Sequence, residues 1–248
     1  RARRQAVFGG WLADADSPLS LKGFFDNGGR QAWMLRLAPG AKEADGLWSL
    51  GGGGAFVPPG LAVSQLRIVA ASPGDWANRI AVAPVLYRTR TGLLLDIEVT
   101  RDGVLVERLA GLPVTSVRSL AEAIEARSQL IRIDTEFAMV PAVSPGLGPT
   151  RQAWPAVALA NGTNGTTPAL ADYVAALELA AQLPEPAMLV MPDLHRDGGS
   201  DAARAEVLLA AARMADGLLD RMVIADAPET VRDEVALEAW LALLQQDP

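Results

Sequence analysis

From Ser17 to Asp26 the apolar residues Leu21, Phe24 and Phe25 fall on one helical face, behind a Ser17-Pro18 start in which the serine oxygen can cap free amides and proline presets the first helical φ. Asn27-Gly28-Gly29 supplies residues that tolerate the left-handed geometry of a helix end. Beyond it Trp33, Leu35 and Leu37 alternate with Ala32, Met34 and Arg36, which predicts a strand with at least one buried face. The stretch LKGFFDNGGRQAWMLRL, residues 21–37, therefore reads as helix then strand, with its aromatics assigned to a core.

Residues 38–60 lose periodicity around LGGGGAFVPPG, and four glycines without a following Gly-Lys-Ser/Thr read as a linker rather than a phosphate cradle. Residues 66–109 then hold LRIVAA, RIAVAPVLY, GLLLDIEVT and GVLVERLAG, short Val/Ile/Leu-rich runs divided by turn signals at Ser72-Pro73-Gly74-Asp75, 88–91 and Arg101-Asp102-Gly103. That spacing predicts an antiparallel meander or small sandwich. Ser119-Leu120-Ala121-Glu122 has capping-box spacing for a helix to about Ser128, and LIRI returns to strand.

The last third changes period. A helix opens at Thr167-Pro168 with Leu170, Tyr173, Val174, Leu177 and Ala181 on one face; AMLVM is a short buried strand; a helix spans 200–216; MVIAD is a second buried strand; a helix from Pro228 to Leu244 closes the series. Strand, helix, strand, helix with near-continuous apolar strands implies parallel pairing covered on both faces. The expected organisation is α/β core and linker over 1–60, a β-rich insertion over 61–134, and a second part of the α/β core over 135–248.

Composition narrows the possible functions. There is no cysteine, so disulfides, iron–sulfur clusters and Cys-ligated zinc are excluded. No run approaches the roughly 18 apolar residues of a membrane span, and RARRQAVFGG lacks the apolar stretch of a signal peptide, so a protein of the cytosol, or assembled there, is the default expectation. The net charge of −7 is unevenly distributed: residues 1–134 carry 16 basic and 13 acidic groups, residues 135–248 carry 6 and 16. So acidic a second half argues against a general nucleic-acid groove, where phosphate neutralisation supplies most non-specific affinity. It also leaves one mildly basic and one acidic part that could attract copies head to tail.

Three stretches invite chemistry. In MPDLHRDGGS, Asp193, His195 (the only histidine), Asp197 and Ser200 follow a strand, where α/β folds place their sites. A relay through Asp193, His195 and Ser200 needs the imidazole between hydroxyl and carboxylate, but no G-x-S-x-G elbow presents the serine, and Ser200 also fits a helix N-cap with Asp201 against the dipole. Asp193, Asp197 and Asp201 do not match an EF-hand series. NGTNGTT contains two Asn-Gly-Thr sequons and reads more simply as a glycine-rich turn leading to a Thr167 cap. SPGDWANRI is a turn beside a large packing surface, either an anchor for the turn or a subunit contact.

Together and in order, these stretches resemble the tail sheath proteins of contractile phages and related contractile injection machines. LKGFFDNGGRQAWMLRL is similar to the family's helix with a Phe-Phe-x-Asn-Gly-Gly ending and following strand; AASPGDWANRIAV to its Ser-Pro-Gly-x-Trp-x-Asn segment before a β-sandwich insertion; NGTNGTTPALADYVAALELA to its Gly-x-x-Gly turn and Asp-Tyr helix; MLVMPDLH to its strand with a Pro-Asp ending. The resemblance implies an α/β fold, a parallel-sheet sheath core subtilisin-like by fold only, with an inserted β-sandwich. It implies no catalytic residue, no cofactor and no metal. Its implied partners are other sheath subunits in hexameric rings, an inner tail tube protein, and baseplate and tail terminator proteins, without nucleic acid or membrane insertion. The implied location is a virion tail or injection particle assembled in the bacterial cytoplasm. Family members usually begin with an extended arm and continue past the MVIADAP-like strand, so the chain is expected to be a short relative or a piece of a longer one. The competing expectations are a hydrolase-like enzyme using Asp193, His195 and Ser200, and a baseplate adaptor that reuses the sheath core.

Overall fold

In the computed structural model the described residues are 15–50, 56–137, 141–142, 148–197 and 199–245. They divide into two compact units, one built on Gly40–Gly165 and the other on the described parts of Trp11–Pro39 and Thr166–Pro248.

The first unit begins with β1 (Asp45–Ser49) and β2 (Gln65–Ala70), continues through a short 3-10 turn (Asp75–Arg79) into β3 (Ile80–Arg88), β4 (Leu93–Arg101) and β5 (Val104–Pro113), and then forms α2 (Val117–Glu125), β6 (Ile131–Ile133), β7 (Arg151–Ala153) and β8 (Val157–Ala158). The four apolar runs of residues 66–109 become β2 to β5 as expected. Strict alternation along β3 buries Ile80, Val82 and Leu86; Val82 and Leu86 lie opposite the buried Val99 and Leu95 of β4, Ile97 lies opposite Pro84, and each buried Val, Ile or Leu side chain contributes about 1.5–3 kcal/mol. The β4–β5 turn is set by Asp102 (φ 52°) and Gly103 (φ 77°), consecutive positive φ angles that match the right-handed strand twist. Two register shifts follow; at one, Gly111 (φ 69°) donates its amide to the Asp96 carboxylate at 2.7 Å.

The result is a five-stranded sheet in the order β5-β4-β3-β7, with β8 also pairing β3, and a three-stranded sheet β1-β2-β6, all antiparallel. One core joins both sheets and the inner face of α2 (Leu120, Ala121, Ile124). Two expectations change here. The 38–60 region is not all loop, because Trp48 and neighbouring backbone complete β1 against β2; its glycine run 51–54 lies outside the described residues. α2 is capped by Ser116, whose hydroxyl accepts the Ser119 amide at 3.0 Å, so the cap lies three residues before the Ser119 box.

The second unit holds α1 (Ser17–Asp26), α3 (Leu170–Ala181), β9 (Met188–Val190), α4 (Asp201–Leu218), β10 (Met222–Ile224) and α5 (Glu234–Leu244). β9 and β10 pair in parallel, Met222 opposite Met188 and Ile224 opposite Val190, as the strand-helix-strand pattern predicts. Cover on both faces is not found. Leu189 and Val223 are half-buried, whereas Met188, Val190, Met222 and Ile224 are exposed. Among the described residues the parallel component is these two short strands. Residues 32–37, expected as a strand, run without regular structure, and Trp33 and Leu35 are exposed. Phe24 and Phe25 are exposed too, their rings edge to face at 5.2 Å, so the assignment of these aromatics to a core does not hold within this chain. Helix starts also move: α3 begins at Leu170 beyond Thr167, with Asp172 accepting the Ala169 amide at 2.8 Å, and α5 begins after Asp233, which accepts the Ala236 amide at 2.8 Å.

Candidate functional site

Three of the stretches singled out in the sequence form long-range junctions. In the first unit the SPGDWAN turn closes against the NGTNGT turn. Asn78 Nδ2 donates to the Gly162 carbonyl at 2.9 Å while Asn78 Oδ1 accepts the Gly162 amide at 2.8 Å, so one side chain reproduces both bonds of a strand pair. Asp75 donates its amide to Asn164 Oδ1 at 3.1 Å. Lys42 exchanges backbone bonds with Thr163 at 3.1 and 3.0 Å, and its carbonyl also accepts the Gly74 amide at 3.0 Å. A Cβ on Gly162 would lie 2.3 Å from the Gly74 carbonyl oxygen, so only glycine allows this approach, while Gly74 itself (φ 140°) occupies backbone space that side chains rarely enter. Trp76 is buried in the unit's core, its indole N–H donating to Pro73 at 3.3 Å and the Arg101 guanidinium lying 5.5 Å from the ring centroid. The tryptophan anchors its own turn.

In the second unit the Pro-Asp turn after β9 meets the start of α1. Asp193 accepts the Asp16 amide at 2.6 Å, the Ser17 amide at 3.3 Å and the Ser17 hydroxyl, while Arg196 pairs with it at 2.9 Å. The carboxylate thus caps a helix lying 176 residues earlier, and the Ser17 oxygen donates to it instead of capping. No local pattern could have revealed this partner. Arg204 was missed as well: from α4 it donates to the carbonyls of Leu194, Arg196 and Asp197 at 3.0–3.2 Å and pairs with Asp201 at 2.7 Å, fixing the whole 194–197 turn.

The relay residues are otherwise engaged. His195 Nδ1 lies 2.7 Å from the Pro192 carbonyl, so it is this nitrogen that carries a proton. Nε2 faces Asp16 at 3.4 Å and Glu229 at 3.7 Å. The Ser200 hydroxyl accepts the Ala203 amide at 3.3 Å as the N-cap of α4, the role that competed with nucleophile in the sequence. Asp197 accepts the Tyr173 hydroxyl at 3.1 Å; burial first, and the adjacent Asp197 charge second, push that phenol above its ordinary range. Asp201 accepts from Thr230 at 2.8 Å. Among the described residues, no three His, Asp or Glu side chains converge in metal-ligating geometry, and no helix is long and apolar enough to cross a membrane.

No protein-family model matches the chain, and no curated protein is significantly similar to it. Solved structures similar to it include a sheath tail protein from Desulfitobacterium hafniense, with 16% identity and a TM-score of 0.46 over 97% of this chain and 52% of that one. Another is a sheath tail protein from Listeria innocua, with 13% identity and a TM-score of 0.40 over 70% of this chain and 32% of that one. The chain spans about half the length of the first and a third of the second.

Proposed function

We propose that this chain is a structural subunit of a contractile tail sheath, without enzymatic activity. One observation carries the reading: three of the four stretches that resemble sheath sequences are spent on backbone junctions. Asn78 and Gly162 lock two turns of one unit, and Asp193 docks α1 in the other. Residues held in this way serve shape, and shape is what a lattice subunit contributes. In this reading the second unit belongs to a parallel, subtilisin-like sheath core and the two antiparallel sheets form its inserted sandwich. Subunits stack as hexameric rings around an inner tube, bounded by baseplate and terminator proteins, and the lattice shortens to drive the tube through a target envelope. The particle is a phage tail or injection machine assembled in the bacterial cytoplasm.

Expression of the gene's complete reading frame with its tube partner tests this by electron microscopy. Striated tubes of sheath width are the expected result, and persistent monomers under those conditions count against it. The absence of catalysis is tested separately: a serine-directed phosphonate is expected to leave Ser200 unlabelled, and labelling that His195→Ala abolishes would restore the enzyme reading.

A further inference from the structure

We propose that Asn164-Gly165 is a self-modification site, at which the chain converts its own asparagine to aspartyl and isoaspartyl forms through a succinimide. The chain has four asparagines, and three of them, Asn27, Asn161 and Asn164, stand directly before glycine. Glycine favours ring closure because it has no Cβ to block the approach of its backbone nitrogen to the asparagine Cγ. The three dipeptides are alike in sequence and differ in what holds them. At Asn161 the attacking nitrogen is taken: the buried Gly162 amide donates to Asn78 Oδ1 at 2.8 Å, and the flanking Ala160 and Thr163 amides donate to the Asp45 and Lys42 carbonyls. At Asn27 both reacting groups are held, the Gly28 amide donating to the Phe25 carbonyl at 3.2 Å and Asn27 Nδ2 to the Gly23 carbonyl at 2.8 Å. Asn164 differs. Among the described residues the exposed Gly165 amide donates to no acceptor, whereas Asn164 Oδ1 accepts the Asp75 amide at 3.1 Å. That donor faces the oxygen on which negative charge collects when the nitrogen adds to Cγ.

Solvent hydroxide takes the Gly165 amide proton, the nitrogen forms its bond to Cγ, and the carbonyl electron pair moves to Oδ1. Return of that pair breaks the Cγ–Nδ2 bond, and the released nitrogen takes a proton from water and leaves as ammonia. Water then opens the five-membered ring. Breaking the bond to Cγ gives the aspartyl form; breaking the bond to the main-chain carbonyl carbon gives the isoaspartyl form, with one more carbon in the backbone. Either product adds a negative charge at the last dipeptide of the first unit, between the Gly162 junction and Thr166, whose amide donates to the Pro39 carbonyl at 2.9 Å. The inference stands apart from the sheath reading, since ring closure occurs within one chain and does not require assembly.

Peptide mass spectrometry on the folded 248-residue chain, aged in mildly alkaline heavy-oxygen water, tests it, with fragment ions separating Asn161 from Asn164. Conversion at Asn164 is expected to run roughly tenfold or more ahead of Asn27 and Asn161, the factor set by one hydrogen bond that must first break at those sites. In concentrated urea the three rates should converge, because the dipeptide is the same. Asp75→Pro removes the donor at the first position of a helical turn, where proline is tolerated, and should slow conversion at Asn164 several-fold. Should Asp75→Pro fail to fold, the three-site comparison in the parent decides alone. Equal rates at the three sites of the folded chain, or a faster rate at Asn27 or Asn161, overturn the site; unchanged or faster conversion in folded Asp75→Pro overturns the part given to the Asp75 amide.

Discussion

Single side chains in this protein separate cleanly by whether their polar atoms are satisfied. Trp48 and Trp154 pack edge to face at 5.2 Å in the same core, yet the Trp154 N–H donates to the Leu50 carbonyl at 3.2 Å and the buried Trp48 N–H has no partner among the described residues. Replacing either by Phe removes similar volume. Trp154→Phe is therefore expected to cost about 1 kcal/mol more than Trp48→Phe in urea unfolding, the worth of a satisfied buried bond against an unsatisfied donor. Tyr173 gives a pH signature. Its raised phenol means that the native state keeps a proton that the unfolded chain releases near the ordinary value of 10.0. Its contribution is whole below that pH and is lost as pH rises beyond it, so Tyr173→Phe should flatten the alkaline fall in stability. An unchanged slope in denaturation between about pH 9 and 11 would contradict the assignment.

Elements were legible where their causes are local. β3, β4 and β5 follow from alternation and from the Asp102-Gly103 turn, and α4 from the Ser200 cap, because each signal sits within a few residues of what it controls. β1 was not legible, since DGLWS buries only Trp48 and owes its strand form to β2. The two-stranded parallel pair was legible as strands but not in its burial, which depends on what else covers them. Nor were the junctions themselves: the residue types were marked, but their pairing across 84 residues, Asn78 to Gly162, has no signature in one sequence. That junction makes its own prediction. Asn78→Ala leaves the Gly162 amide and carbonyl without their partner and should destabilise the first unit by about 2–3 kcal/mol. Gly162→Ala must push the turns apart and should cost at least as much. Denaturation curves for both, with the second unit's transition unmoved, are the check.

For the whole molecule, the uneven charge follows the compact units more closely than the halves of the chain. Gly40–Gly165 carries 11 basic and 11 acidic groups, whereas Trp11–Pro39 with Thr166–Pro248 carries 8 and 18. The second unit also has the smaller buried cluster and most of the exposed large apolar side chains. Calorimetry should therefore resolve two transitions, the lower belonging to the acidic unit. Raising salt from about 20 to 300 mM should lift the lower one by screening self-repulsion and move the upper one little. A single transition, or equal shifts, would show that the units do not behave independently.

The reach of Asp193 back to Asp16, 177 residues apart, also has a bearing on how the chain is made. At translation rates of roughly 5–20 residues per second, α1 leaves the ribosome about 10–35 seconds before its cap exists. Throughout that interval the sheets of the first unit, whose contacts lie between the two, can finish folding. The second unit closes last, and Phe24, Phe25 and Trp33 stay exposed in the finished chain.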